Sequence, residues 1–542
     1  MAAAAEKVEE NPVPQRDIAE KDNASHTSTN DDDDDSTDRV DQNSLRRHIS
    51  IASAEAAAAG AAAEMSMAAE SIVQTDPNAI GWDGPDDPAN PMNWPDNKKW
   101  ATVILISLMT ILTPLGSSMF APGVPDIMAE FKSRDETLAT FVVSVYVLGF
   151  AFGPLLAAPM SEIYGRAICY NVANVAFVIF TVGTALSQNM GMMIAFRFLM
   201  GFAGSTPITN GSGSIADMFP IEKRGRAMSV WAMGPMLGPC IGPVAGGYLV
   251  QYLNWRWVFW IMAMAGGAIS LAGLFLVNET YHPKLVGNKV RKLRKETGNP
   301  DLYNALEDQT TTEKMRLKLA IIRPLKILFM LPSVSLMSLY VAVIYGILYL
   351  MISTFTFVFG ANQYGFSTGT VGLSYIPTGI GCIIGMVLFG ALTDMEVKKR
   401  QKKGETPVPE DRLAIYMIVL AGVTTTVSLF WYGWSVQQKV HWICPMIAVA
   451  VFCFGLMGVM MTVQIYLIDC YIQYAASVIA ALTVFRSIVG AFLPMAGLSM
   501  YNKLGYGWGN SLLGFLCLIL APAPLFFWKY GARIRARFQI KL

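Results

Sequence analysis

The stretch Gly234–Gly247, reading GPMLGPCIGPVAGG, constrains this chain more than any other. Gly234, Gly238, Gly242 and Gly246 recur every four residues, and on a helix each step drifts only about 40°, so they form one slowly winding stripe without side chains. Pro235, Pro239 and Pro243 keep the same period beside it, each removing a backbone donor and crowding the preceding turn. A helix in water would not tolerate three such interruptions. Inside a membrane, neighbouring helices and local backbone adjustment satisfy the freed carbonyls, and bare stripes let helices approach backbone to backbone. The stretch predicts a kinked, tightly packed membrane helix.

Composition agrees. Of the 542 residues, 53% are hydrophobic and 15% charged, against about 25% charged in soluble domains. A net charge of +1 leaves no footprint for nucleic acid. The seven cysteines (Cys169, Cys240, Cys382, Cys444, Cys453, Cys470 and Cys517) lie mostly in apolar runs without metal-ligand spacing, which reads as packing. No secretory leader is evident, so the first span is expected to direct insertion.

Residues 1–90 are acidic and Ala-rich, with the run Asp31–Asp35, and are expected to form a disordered cytoplasmic tail. Arg46 and Arg47 ahead of Ser50 make a candidate kinase site. From Trp100 onward, twelve apolar segments are long enough to cross about 30 Å of hydrocarbon, the fifth at residues 226–250 and the last at 508–529. A polar stretch divides them. The expected organisation is a six-helix half at 91–277, a cytoplasmic loop at 278–330, a second six-helix half at 331–530 and a basic tail at 531–542.

Charge fixes the orientation. With the N-terminus inside, the cytoplasmic connections carry Arg166, Lys223, Arg224, Arg226, the run Lys398–Lys403 and a C-terminal tail with Arg533, Arg535 and Arg537. The opposite loops hold only Lys132, Arg134, Arg256, Lys439 and Lys503, an asymmetry that puts both termini in the cytoplasm. The sequon Asn278-Glu279-Thr280 then lies inside and should be unused. The halves also echo each other: Glu162 follows Ala158 after the second span as Asp394 follows Gly390 after the eighth, and Asp217 closes the fourth span as Asp469 closes the tenth. Such parallel repeats suit two bodies that rock about a midplane site.

These features resemble the major facilitator superfamily, and within it the fungal twelve-span drug:proton antiporters, over residues 85–530. SEIYGR at Ser161–Arg166 is similar to the loop between the second and third helices, with Ala158 and Glu162 where the family prefers Gly and often Asp. RFLMGFAGS at Arg197–Ser205 resembles the fourth-helix motif, and the opening stretch resembles the fifth-helix antiporter signature. NPMNW, DMFPIEKRGRAM, WRWVFW and NETY are further matches to the fungal branch. The resemblance implies an all-α integral membrane protein of twelve helices in two six-helix pseudo-repeats.

It also implies roles. Glu162, Gly165, Arg166 and Asp394 are candidate gating residues. Arg197, expensive inside a span unless partnered or in a watery cavity, is a candidate for proton coupling or substrate binding, as is Arg486 in the eleventh span. No Asp or Glu falls in the middle of a span, so the titrating carboxylate is sought at the cytoplasmic helix ends, among Glu162, Asp217, Asp394 and Asp469, with Asp217 and Asp469 as the candidates for proton coupling. The alternative reading of each is a structural charge. Gly234, Pro235, Gly238, Pro239, Gly242, Pro243, Gly246 and Gly247 form the antiporter motif, with Gly379, Gly381 and Gly385 of the eighth span as its expected partner. Tyr146, Tyr345, Tyr349, Phe357, Tyr375, Gln464, Tyr466 and Phe485 are candidate cavity residues.

The expected function is proton-coupled export of hydrophobic or amphipathic small molecules, such as drugs, antifungals or toxic secondary metabolites, from a monomer in the plasma membrane, with the vacuolar membrane second. Polycations fit poorly, because nothing in mid-membrane would neutralise them. The alternatives are a carrier of a specific organic acid or polyamine, and a transport-dead sensor. No nucleophile–base constellation, metal cluster or phosphate loop supports an enzyme or a cofactor.

Overall fold

The structure, a computed structural model, describes residues 76–307, 313–360, 363–402, 408–471 and 474–538. Asp31–Asp35 and the Arg46, Arg47 and Ser50 cluster lie outside the described residues, and so does the side chain of Asp394. The first half consists of α1 (Asp96–Ser118), α2 (Glu136–Tyr164), α3 (Arg166–Ala185), α4 (Met190–Met218), α5 (Ile221–Tyr252) and α6 (Trp255–Leu276). Two helices of the connecting segment follow, α7 (His282–Thr297) and α8 (Glu313–Met330). The second half contains α9 (Pro332–Phe359), α10 (Ile376–Lys402), α11 (Ile415–Gln437), α12 (Ile443–Cys470), α13 (Ala475–Phe492), α14 (Gly497–Leu520) and α15 (Pro522–Arg537).

Among the described residues, 10 segments are long and apolar enough to cross a membrane. The last, Ala475–Arg537, holds two crossings, because Gly505 leaves the helix at φ 75° and Gly509 then packs beside Tyr501, which reverses the chain. α5 is not among the 10, since its Gly, Pro and first-turn charges dilute its hydropathy. Its 32 residues nevertheless reach about 48 Å at 1.5 Å each. Counted with it, the described residues hold an even number of crossings, which brings Asp96 and Arg537 to one face.

Within the first half, α1 packs on α4, α5 and α6, and α4 on α2 and α3. In the second half, α12 packs on α10 and α11, α14 on α11, and α9 on α13. Between the halves, α2 meets α13, and α5 meets α10 together with the helical turn Thr368–Leu373 before it. The hydrogen bonds that cross this seam gather toward the face opposite Asp96 and Arg537. Ser144 Oγ donates to the Ala491 carbonyl at 2.6 Å, Thr356 Oγ1 to that of Ala121 at 3.0 Å, and Asn502 to Glu136 at 2.7 Å, while Ser117 Oγ and Tyr349 Oη lie 3.3 Å apart. Gln251 Oε1 accepts from the Gly369 N–H at 2.8 Å. The outer side is thus joined across the halves.

The glycine stripe lies elsewhere than expected. Gly234, Gly238, Gly242 and Gly246 are buried, but against α1 of the same half. A methyl group on Gly234 would come within 2.8 Å of Ile111, one on Gly242 within 2.9 Å of Ser118 Oγ, and those on Gly238 and Gly246 would collide with Pro114 and the Met119 carbonyl. α10 and the turn before it meet a different face of α5, where Gly379 of α10 lies against Cys240 and Gly372 of the turn against Pro243. Gly381 and Gly385 face neither, packing instead on Ala450 and Phe454 of α12. A four-residue period shows that a face is bare; it carries no information about which neighbour fills it.

Residues 76–90, expected to belong to the tail, pack on the segment between the halves. β1 (Ala79–Ile80) pairs in parallel with β2 (Tyr303–Asn304), and Ile80 and Trp82 close a small apolar core with Val286, Val290, Leu302 and Leu306. Lys289 of α7 pairs with Asp83 at 2.5 Å and donates to the Gly81 carbonyl, 208 residues away in sequence. A two-residue strand held by so distant a partner leaves no periodic signal.

Candidate functional site

The cytoplasmic end of the first half is built around a single glycine. α2 stops at Tyr164, and Gly165 takes φ 100°, a conformation costly for residues with a side chain, which leads straight into α3. Glu279, just beyond α6, lies against this turn. Its Oε1 accepts from the Arg166 N–H at 2.9 Å and its Oε2 from that of Ala167 at 3.2 Å. A carboxylate here satisfies orphan donors and meets the positive end of the α3 dipole. Arg166 Nε donates to Asp217 Oδ2 at 2.6 Å, with both side chains largely buried. Thr280 Oγ1 also donates to Asp217, at 3.3 Å, and His282 Nε2 lies 2.9 Å from the Asp217 carbonyl. Glu162 adds a further favourable charge to Arg166. The cytoplasmic ends of α2, α3, α4 and α6 are thereby tied together.

The second half repeats the central pair. Arg412, ahead of α11, donates through Nε to Asp469 Oδ2 at 2.8 Å, and Asp469 is one residue from the end of α12 as Asp217 is from the end of α4. Beside it, Arg400 pairs with Asp411 at 2.9 Å and Arg535 with Glu410 at 2.5 Å. Arg412, Glu410, Arg535 and Glu279 are not among the site residues expected from the sequence, where Arg535 counts only as a loop charge and Glu279 only as part of a sequon and the NETY match. Arg412 was within reach, since it stands in the second half where Arg166 stands in the first.

The two arginines inside the spans differ. Arg197 is fully buried and shares its donors among carbonyls: Nε to Val142 at 2.8 Å, Nη1 to Gly116 at 2.9 Å, and Nη2 to Ser117 at 3.0 Å and Val143 at 3.4 Å. Its guanidinium also lies 3.9 Å from the Phe120 ring centre. The Gly116 and Ser117 carbonyls are free because α1 ends at Ser118, so the arginine completes that helix end. Arg486 on α13 is half-buried. Its guanidinium lies 5.1 Å from the Tyr345 ring centre, and its Nε is enclosed without a hydrogen-bond partner.

The aromatic candidates separate in the same way. Tyr146 and Tyr375 are fully buried, donating to the carbonyls of Thr113 at 2.9 Å and Ile352 at 2.8 Å. Tyr466 lies beside Arg535 and Gly531 near the cytoplasmic end of the second half. Tyr345 and Tyr349 pack on each other at 5.1 Å along the seam, together with Arg486 and Ser117. Phe357, Gln464 and Phe485 are half-buried. Among the described residues no group of His, Cys, Asp and Glu is placed to hold a metal ion, and all seven cysteines are free thiols.

The chain is 48% identical over 471 residues to the efflux pump radE of Floropilus chiversii, covering 86% of this chain and 87% of that one. It is 48% identical over 467 residues to the MFS-type transporter penM of Penicillium rubens, covering 86% and 91%, and 45% identical to the MFS transporter cpaT of Aspergillus oryzae, covering 88% and 95%. In fold it is similar to a bacterial homologue of the human lysosomal transporter Spinster, with a TM-score of 0.59 at 15% identity, covering 83% of this chain and 100% of that one. It is also similar to the xylose transporter XylE from E. coli, with a TM-score of 0.56 at 16% identity, covering 80% and 96%. The sequence pattern of the Major Facilitator Superfamily matches residues 106–494. With a match of that extent and relatives this close, the chain is a multi-pass membrane protein that belongs to the Major Facilitator Superfamily.

Proposed function

We propose that this protein is a secondary active exporter that expels hydrophobic or amphipathic small organic molecules in exchange for protons. The observation that carries the reading is the asymmetry of the seam: the halves are hydrogen-bonded to each other toward the outer face, whereas the cytoplasmic Arg166–Asp217 and Arg412–Asp469 pairs each lie within one half. That is the arrangement of a carrier open toward the cytoplasm, where an exporter takes up its cargo, and from it rocking must break the outer bonds and re-form contacts inside. The names of its fungal relatives, an efflux pump among them, support the direction of transport.

Proton coupling falls to Asp217 and Asp469. Each is held by an arginine at the end of a helix that must move, so protonation would weaken that grip on the cytoplasmic side. Arg197 acts in this conformation as a brace for the outer ends of α1 and α2. Its part in coupling would be played when those bonds exchange as the outer side opens. Glu162, Gly165, Arg166 and Asp394 serve the gate, the protein works as a monomer in the plasma membrane, and it catalyses no covalent chemistry.

The test is transport by the purified full-length protein in liposomes, using hydrophobic fluorescent dyes and an imposed pH gradient. Dye movement that follows the gradient and stops with a protonophore is expected. Movement that survives collapse of the gradient overturns proton antiport, and dye movement only down its own gradient overturns active export.

A further inference from the structure

The seam between the halves contains a charge, Arg486, whose hydrogen bonding the fold leaves incomplete. Arg486 stands on α13 in the span that faces the first half, with its guanidinium over the face of Tyr345 at 5.1 Å. Tyr345 packs on Tyr349 at 5.1 Å, and Tyr349 Oη lies 3.3 Å from Ser117 Oγ of the other half. A methyl group built on Gly490, one turn from Arg486, would meet Tyr345 at 3.1 Å and Val147 of α2 at 3.6 Å. The guanidinium is therefore at the meeting of α2, α9 and α13, where a carrier of this fold must pass its cargo.

Its bonding is incomplete. Arg197 has Nε, Nη1 and Nη2 all donating to carbonyls, whereas Arg486 keeps an enclosed Nε without a partner, and among the described residues no carboxylate pairs with it. A cation held inside a span with donors unspent is costly and marks a place for a counter-charge. The planar fork of a guanidinium is suited to two parallel bonds with a carboxylate or a similar delocalised oxyanion, and the neighbouring tyrosine rings offer a face to an aromatic or apolar body.

We propose that Arg486 is the anion anchor of the transport path, and that the exported molecules are aromatic or amphipathic organic acids bound as their anions. This rests on the exporter reading above and narrows it to a charge class. An oxyanion would bond to the terminal Nη groups of Arg486, and to the enclosed Nε as the seam opens, while its ring system lies against Tyr345.

The experiment uses the full-length protein in detergent and in liposomes with three matched series of one to three fused aromatic rings, bearing a carboxylate, its methyl ester or an ammonium group. Binding is read by thermal stabilisation, and transport by counterflow. Carboxylates are expected to bind about tenfold better than their esters, the worth of a charged hydrogen bond, with ammonium compounds weakest. Arg486→Gln is expected to erase the carboxylate preference, bringing acid and ester affinities within about twofold of each other, and Arg486→Lys to restore part of it. The wild-type preference needs no variant, so it stands as a test even if Arg486→Gln fails to fold. Esters or amines bound as well as the acids, or an acid preference that survives in Arg486→Gln, overturn the anchor and leave the exporter reading intact. If no member of any series binds or moves, both fall.

Discussion

The cytoplasmic clusters of the two halves share one ion pair and differ in what completes it. In each, an arginine at the entry to the third helix of the half reaches an aspartate one residue before the end of the fourth, as Arg166–Asp217 and Arg412–Asp469. The segment that follows then contributes opposite charges. After α6 it is Glu279, which bonds to backbone N–H groups of α3, whereas in α15 it is Arg535, which bonds to the side chain of Glu410. The repeated topology preserves the pair, and each half has solved the closing contact in its own way. The first solution depends on a backbone turn at Gly165, the second on side chains that can readjust. The first pair is also more enclosed, with Asp217 12% exposed against 28% for Asp469.

This difference makes the first cluster the more brittle. Arg166→Ala should have the largest effect, because it strands the enclosed Asp217. A loss of about 3 kcal/mol, the lower end for breaking a buried pair, corresponds to export reduced more than about a hundredfold in liposomes at matched protein content. Arg412→Ala should cost about 1.5 kcal/mol, roughly tenfold, since its partner is better solvated. Equal losses in the two variants would break the comparison. Glu279→Gln keeps the shape of the cap but not its charge, and a reduction of about fivefold, near 1 kcal/mol, is expected in the same assay. Arg535→Gln should reduce export about threefold, because the amide can still donate to Glu410, which is 13% exposed and would lose only its charge partner. A loss from Arg535→Gln larger than that from Glu279→Gln would show that the second cluster, not the first, limits the motion.

Much of the architecture can be read from residue patterns because membrane constraints are written locally. Span length, loop charge and the Gly and Pro period each depend on a few neighbours in sequence. The same holds for Gly165 and Arg166, whose motif lies within one turn. What could not be read depends on pairing at a distance. Glu279 acts on Arg166 and Ala167 across 113 and 112 residues, and the strand at Ala79 finds its partner at Tyr303. Arg197 and Arg486 are the same residue type in similar apolar runs. Only the position where α1 ends distinguishes a guanidinium spent on carbonyls from one with a donor still open. The partner of the glycine stripe was hidden for the same reason, since a bare face fits any helix that comes close enough.

That stripe has a mechanical consequence. Ile111, Pro114, Ser118 and the Met119 carbonyl seat in it as a tongue seats in a groove. Such a joint resists sideways shear because no side chain in the groove can rotate out of the way. α1 and α5 should therefore turn as one body. Torque applied where Cys240 meets α10 and Pro243 meets the turn before it would be delivered with little slack to the end of α1, where the Gly116 and Ser117 carbonyls are held by Arg197.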